Sequence, residues 1–250
     1  MRLRITAIHA HPDDCEFLAG GTLALLAEKG HEITIVTMTP GDCGSAELPP
    51  ETISSIRRRE AEEAAAVIGA RYECAEFRDF QIFETDEARR RVCAILRRTR
   101  PDVVLTASPV DYMADHETTS RLVRDACFGA PIRNYDTSAF DPAPALDAIP
   151  HLYFMDPIGG VDRDNMPVKS DFTVDIAAVF ETKRRMLSCH ASQREWLRKQ
   201  HGIDEYLAMM ERWSREIGGR AGLEFGEGFR QYVGHPYPKT PLLQRALFGA

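Results

Sequence analysis

Apolar runs of strand length, each followed by a stretch with helical spacing, set the strongest limit on how this chain can fold. Leu3, Ile5, Ala7 and Ile8 read as a short buried strand; Phe17, Leu18, Leu23, Leu25 and Leu26 then recur at helical spacing until Gly30 stops them. Ile33, Ile35, Val36 and Met38 repeat the first pattern, and residues 52–69, with an Ala-rich middle and Gly69 at the C-cap position, repeat the second. Residues 72–77 read as a third strand and 86–100 as a third helix closed by Pro101. Val103, Val104, Leu105 and Thr106 form the continuous apolar, mostly β-branched run of a strand buried on both faces. This alternation predicts an α/β fold: a Rossmann-like, doubly wound and mainly parallel sheet with strand order 3-2-1-4-5. Strands 1 and 4 are then neighbours whose helices leave on opposite faces, which opens a crevice at their carboxyl ends.

Chemistry concentrates on the first strand-to-helix turn, where His11, Asp13, Asp14 and Glu16 stand together. Helix capping accounts for one carboxylate, with Asp13 or Asp14 accepting from free backbone N–H groups and Glu16 adding favourable charge in the first turn. Three acids beside a histidine repel one another unless a cation neutralises them, so the turn reads as a metal site. A third ligand can come from the loop after strand 4, because His116 opens a helix at the carboxyl end of the neighbouring strand. His11, Asp14 and His116 make a two-histidine, one-carboxylate set with room for water, the arrangement of a catalytic rather than a structural zinc site. Zn2+ is the expected cofactor, with another divalent metal such as Fe2+ as the alternative.

The remainder is less regular. Residues 129–150, rich in Pro, Asp and Ala, read as an irregular insertion lining the site. Residues 152–155 and 172–174 read as strands, 177–187 and 203–217 as helices, and 218–250 as a looped C-terminal extension. No repeat or linker divides the chain, so residues 1–250 are expected to form a single domain. Six scattered cysteines without a C-x-x-C pair suit reduced thiols rather than a disulfide framework. A net charge of −7, from 38 acids against 31 bases, argues against a nucleic-acid or anionic-membrane partner. No apolar run approaches the roughly 18 residues of a membrane span, and the first residues lead straight into a strand, so a cytoplasmic location is expected. The clusters Arg57 to Arg59, Arg89 to Arg91 and Arg97 to Arg98 read as solvated helix faces paired with acids at i+3 or i+4. Homo-oligomerisation is left open.

These residues resemble the PIG-L/LmbE-like family of zinc-dependent N-acetylglucosaminide deacetylases. The resemblance rests on His11-Pro12-Asp13-Asp14-Cys15-Glu16 after a strand, the Gly41-Asp42 loop, an Arg57-x-x-Glu60 helix ending in Ile68-Gly69, Asp115-His116, and Lys183 through His190-x-Ser192-Gln193. It spans roughly residues 3 to 195, with a weaker echo at Gly226-Glu227-Gly228-Phe229. It implies a hydrolase that removes an N-acetyl or other acyl group from an amino sugar in a small glycoconjugate. The positions matching His11, Asp14 and His116 hold zinc in that family, and the one matching Asp13 is the general base. Many members carry H-x-D-H before the helix, where this chain has Met113-Ala114-Asp115-His116. Methionine donates no hydrogen bond, so His190 and Arg57 are the candidates to support the oxyanion, while Asp115 orients a ligand histidine or caps the helix. Two other classes stay open: a non-catalytic Rossmann-like module binding a metal or sugar, which Met113 favours, and a non-haem iron enzyme, which would leave Asp13 without a role. No G-x-G-x-x-G follows the first strand, so dinucleotide binding is not expected.

Overall fold

The computed structural model describes residues 2–201 and 206–249. In chain order its elements are β1 (Arg4–His9), α1 (Asp14–Glu28), β2 (Glu32–Thr37), α2 (Pro50–Ala66), β3 (Arg71–Cys74), α3 (Asp86–Thr99), β4 (Val103–Thr106), α4 (Ala114–Gly129) and β5 (His151–Met155). They continue with β6 (Phe172–Asp175), α5 (Phe180–Ser188), α6 (Ala191–His201), α7 (Tyr206–Arg220), β7 (Gly226–Gln231) and α8 (Leu242–Phe248). The sheet order is β3-β2-β1-β4-β5-β7-β6. The first five strands pair in parallel in the expected order, and β7 runs antiparallel between β5 and β6.

Successive residues of a strand point to opposite faces, and β1 divides the core accordingly. Ile5 and Ala7 join Phe17, Leu23, Leu26, Met210, Trp213 and Phe229 on one side. Ile8 joins Val36, Met38, Val92, Leu96, Val104, Leu122 and Val123 on the other. Because Ile8 is in register with Val36 on one flank and Thr106 on the other, β1 is central and its carboxyl end opens at the switch point.

Three regions differ from expectation. Residues 130–150 do not wall the crevice: α4 carries the chain to the opposite end of the sheet, where Arg97 donates to the carbonyls of Ala130 (3.0 Å) and Ile132 (2.7 Å) and Arg98 pairs with Asp141 (2.8 Å). Arg97 is therefore buried rather than a solvated face. Residues 191–201 form a helix with no sequence expectation behind it, and the expected helix start at Ile203 lies outside the described residues. The looped extension contains β7, whose glycines disguise it because glycine is depleted in strands. Here the missing side chains are required: a Cβ on Gly228 would lie 1.9 Å from Asp156 Oδ2, and one on Gly226 would lie 2.9 Å from the backbone of Gly218.

β7 also supplies a buried tie. Glu227 accepts from the N–H groups of Gly21 (2.8 Å) and Thr22 (2.7 Å) and from Lys183 Nζ (2.7 Å), with both ionic side chains about 1% exposed. Burial pushes the Lys183 pKa down against the pull of Glu227.

Candidate metal centre

Asp13 is the N-cap of α1, with φ 97° in the left-handed region, and makes no side-chain cap bond. Aspartate is among the few residues that tolerate this conformation. The turn directs the carboxylates of Asp13 and Asp14 to different neighbours, so the simple capping reading of Asp13 does not hold.

Two imidazole nitrogens approach one carboxylate oxygen. His11 Nδ1 lies 3.3 Å and His116 Nε2 3.5 Å from Asp14 Oδ2. Zinc bonds of about 2.0–2.1 Å give tetrahedral edges of roughly 3.3 Å, so these spacings fit a divalent ion. The other nitrogen of each imidazole faces a carboxylate: His11 Nε2 is 3.3 Å from Asp115 Oδ2, and His116 Nδ1 is 3.0 Å from Asp111 Oδ1. Such partners fix ring orientation and tautomer at metal sites. Asp115 is itself held by the Phe80 N–H (2.7 Å), so it orients His11 from the first turn of the helix that carries His116. Asp79 stands further off, its Oδ1 3.9 Å from His11 Nε2. In this cluster the trio whose ligand-type atoms all lie within 4.8 Å of one another is His9, Asp14 and His116, with His9 at the end of β1.

Asp13 faces a separate group. Tyr206, from the first residue of α7, donates its hydroxyl to Asp13 Oδ2. Arg57 Nη2 lies 3.8 Å from Asp13 Oδ1 and donates to the carbonyl of Pro12 at 2.8 Å. Gly41, at φ 74°, roofs this guanidinium, because a Cβ there would fall 2.5 Å from Arg57 Nη1. His190 sits behind, with Nε2 3.7 Å from Glu16 Oε1. Arg57 and His190 are 4% and 1% exposed, so both lie beneath the turn. The adjacent motif residue Glu60 accepts from the Ser192 N–H (2.8 Å) and hydroxyl (2.5 Å), fastening α6 to α2. Met113 is the N-cap of α4, and its N–H donates to Asp111 Oδ1 at 3.2 Å. Beside it Tyr112, 61% exposed, sets its ring edge-on to His116 with centroids 5.4 Å apart.

Residues 6–127 match the family model described as PIG-L, GlcNAc-PI de-N-acetylase. Diacetylchitobiose deacetylase of Thermococcus kodakarensis is 26% identical over 203 residues, 76% of this chain and 70% of that protein. The structure of N,N'-diacetylchitobiose deacetylase from Pyrococcus horikoshii superposes with a TM-score of 0.77 at 26% identity, covering 95% of this chain and 88% of that one. The resemblance to the PIG-L/LmbE-like family thus recurs in a family model over just under half of the chain and in a relative and a solved structure at 26% identity. The relatives are not uniform in activity: 4-oxalmesaconate hydratase of Pseudomonas putida is 27% identical over 194 residues, 74% of this chain and 72% of that protein.

The segment matched to the PIG-L model holds His11, Asp13, Asp14, Arg57 and His116, while His190 and Tyr206 lie beyond it. Electrostatics distinguish the two aspartates. Burial raises the Asp13 pKa and the Asp14 charge adds to it, and the opposing influences of Arg57, His190 and Tyr206 leave the net direction upward. Burial acts on Asp14 in the same sense, but His9, His116 and His11 around it hold it well below the usual range. Burial would lower His11, yet its contacts with Asp115 and Asp14 push it up to about 10. His190 is likewise raised against burial, by Glu16 first and Asp13 second.

Sequence reasoning missed His9, Asp111 and Tyr206. The H-x-H spacing at the strand end was a readable signal for His9, and an acid five residues before His116 was a weak one for Asp111. Tyr206 carries no signal, being 193 residues from Asp13.

Proposed function

We propose that this chain is a metal-dependent N-deacetylase that hydrolyses the linear amide of a small N-acetyl amino-sugar conjugate. The observation that carries this reading is the approach of His11 Nδ1 and His116 Nε2 to Asp14 Oδ2, a cradle adjoining a buried carboxylate with a raised pKa. The names of the diacetylchitobiose deacetylase relatives support the substrate class. An ion held by His11, Asp14 and His116 would supply the Lewis acidity that activates water and polarises an amide carbonyl.

The chain's own residues do the rest. Tyr206 occupies Asp13 Oδ2, and Arg57 is too far from Oδ1 for a hydrogen bond. Oδ1 is therefore the oxygen that takes a proton from the attacking water and returns it to the leaving amine. A base with a raised pKa suits that exchange near neutrality, because the proton is accepted and released at similar cost. Arg57 and His190, buried beneath the turn, act through Asp13 by balancing its charge. We assign the donor to the developing oxyanion to Tyr112, an exposed residue whose ring meets that of His116 edge-on.

The P. putida relative favours a second reading, addition of water to a substrate without amide cleavage. Acetate release from a panel of N-acetyl amino sugars, with metal measured on the same sample, separates the two. Deacetylation predicts acetate, about one divalent ion per chain, and loss of acetate release in Asp13→Asn. A metal-loaded protein that releases no acetate but adds one water mass to an unsaturated acid would replace this reading with the hydratase; one that does neither would favour the binding module.

A further inference from the structure

His9 stands against the cradle, in a group with Asp14 and His116 whose ligand-type atoms lie within 4.8 Å of one another. Its ring is fully buried, edge-on to His116 with centroids 4.6 Å apart, and its Nδ1 lies 2.7 Å from Asp14 Oδ2. The distance to Asp14 decides between two roles. Ligands of one tetrahedral ion are separated by roughly 3.3 Å, as His11 and His116 are from Asp14. A separation of 2.7 Å is instead that of a hydrogen bond to a carboxylate. The Ala10 amide also lies 2.9 Å from Nδ1, but an Nδ1 lone pair held 2.7 Å from a carboxylate oxygen would be repelled by it. With its proton on Nδ1 the ring donates to Asp14, and the Ala10 amide contact is then subordinate. His9 Nε2 is buried with no hydrogen-bond partner among the described residues.

Resting on the metal-centre reading above, we infer that His9 is a positioning residue: it donates Nδ1–H to Asp14 Oδ2 and orients that carboxylate as a ligand while itself staying outside the coordination sphere. The consequence is functional. A fourth protein ligand would close the site as in structural zinc centres, whereas three leave a position for water or substrate. His9 Nδ1–H and the His11 backbone N–H (2.8 Å) both grip the same Asp14 oxygen, so its orientation is fixed before an ion arrives.

The test is metal affinity, read by chelator competition on the full chain, together with the visible absorption of the Co2+ form. His9→Leu removes the donor and should weaken Zn2+ binding about 10–100-fold. His9→Asn, whose amide nitrogen can replace Nδ1 as donor, should recover most of that loss, with a Co2+ spectrum like that of wild type. Should His9→Leu fail to fold, the Asn variant alone must bind within about threefold of wild type. Wild-type affinity in His9→Leu would overturn the inference, as would an Asn variant bound as weakly as Leu with a Co2+ spectrum reporting a lost ligand. Wild-type protein that binds no divalent metal would sink the metal centre itself and His9's role with it, whereas intact wild-type binding with an unaffected His9→Leu sinks the inference alone.

Discussion

At the scale of single residues, the two neighbouring aspartates face different groups because the left-handed turn at Asp13 sends its own carboxylate to Tyr206 and that of Asp14 to the imidazoles of His9, His11 and His116. Asp13→Asn should keep the metal and lower kcat by about 10² to 10⁴; equal loss of metal and rate would remove Asp13 as the base. Tyr206→Phe keeps the ring and deletes only the hydroxyl, so kcat should fall about tenfold at unchanged metal content. The same substitution in an Asp13→Asn background should have no further effect, since groups acting as one unit are not additive. Additive losses would make Tyr206 a packing residue only. Tyr112→Phe should cost about 10² in kcat if its phenol faces the oxyanion, and an unchanged rate would return that role to another donor. The His11 pKa near 10 also has a sign. In metal-free protein the group is raised above its ordinary 6.5, so its contribution to stability is complete below pH 6.5 and disappears as pH rises through about 10. Because the ion needs the deprotonated ring, metal affinity should climb across that same interval; a flat affinity from pH 7 to 9, measured by buffered competition, would contradict the raised value.

At the scale of elements, what was legible in the sequence was whatever local pattern dictates. The first four of the five parallel strands and their helices were readable because each has a local apolar pattern of its own, and the order of β1 and β4 followed from general topology, which is how His116 could be placed beside His11. Motifs read as separate signatures prove to be physical contacts: Arg57 and Glu60, three apart on α2, reach the Pro12 carbonyl and Ser192 respectively. What could not be read depends on distant chain. β7 looks like a loop because Gly226 and Gly228 are dictated by Gly218 and Asp156, which no local window contains. Tyr206 reaches Asp13 only once α7 is packed, and α6 has a helix start secured by a glutamate on another element. Gly41 is dictated in the same way by Arg57 on α2. Gly41→Ala places a methyl against the Arg57 guanidinium at a positive φ, so it should displace Arg57 from Asp13 and lower kcat while the His11, Asp14 and His116 cradle still binds metal.

At the scale of the whole molecule, the matched stretch 6–127 contains the cradle but not what makes it a folded unit. Lys183 is buried against Glu227, and that glutamate also satisfies two N–H groups of α1, the helix that begins at the metal turn. A chain ending after residue 201 would lose Tyr206, Glu227 and β7 together and would leave a buried ammonium unpaired. Breaking such a pair costs about 3–5 kcal/mol. The same cut removes Met210, Trp213, Ile217, Phe225 and Phe229 from the core beside β1, each contributing about 1.5–3 kcal/mol. Those losses together, about 10–20 kcal/mol, are as large as the roughly 5–15 kcal/mol by which a domain of this kind is stable. The truncated chain is therefore expected to show no cooperative thermal unfolding and to bind Zn2+ no better than an unstructured His- and Asp-containing peptide. If it instead unfolded cooperatively with metal affinity intact, the last 49 residues would be an appendage. The tie between β7 and α1 would then be dispensable, and Asp13 would have to be held without α7.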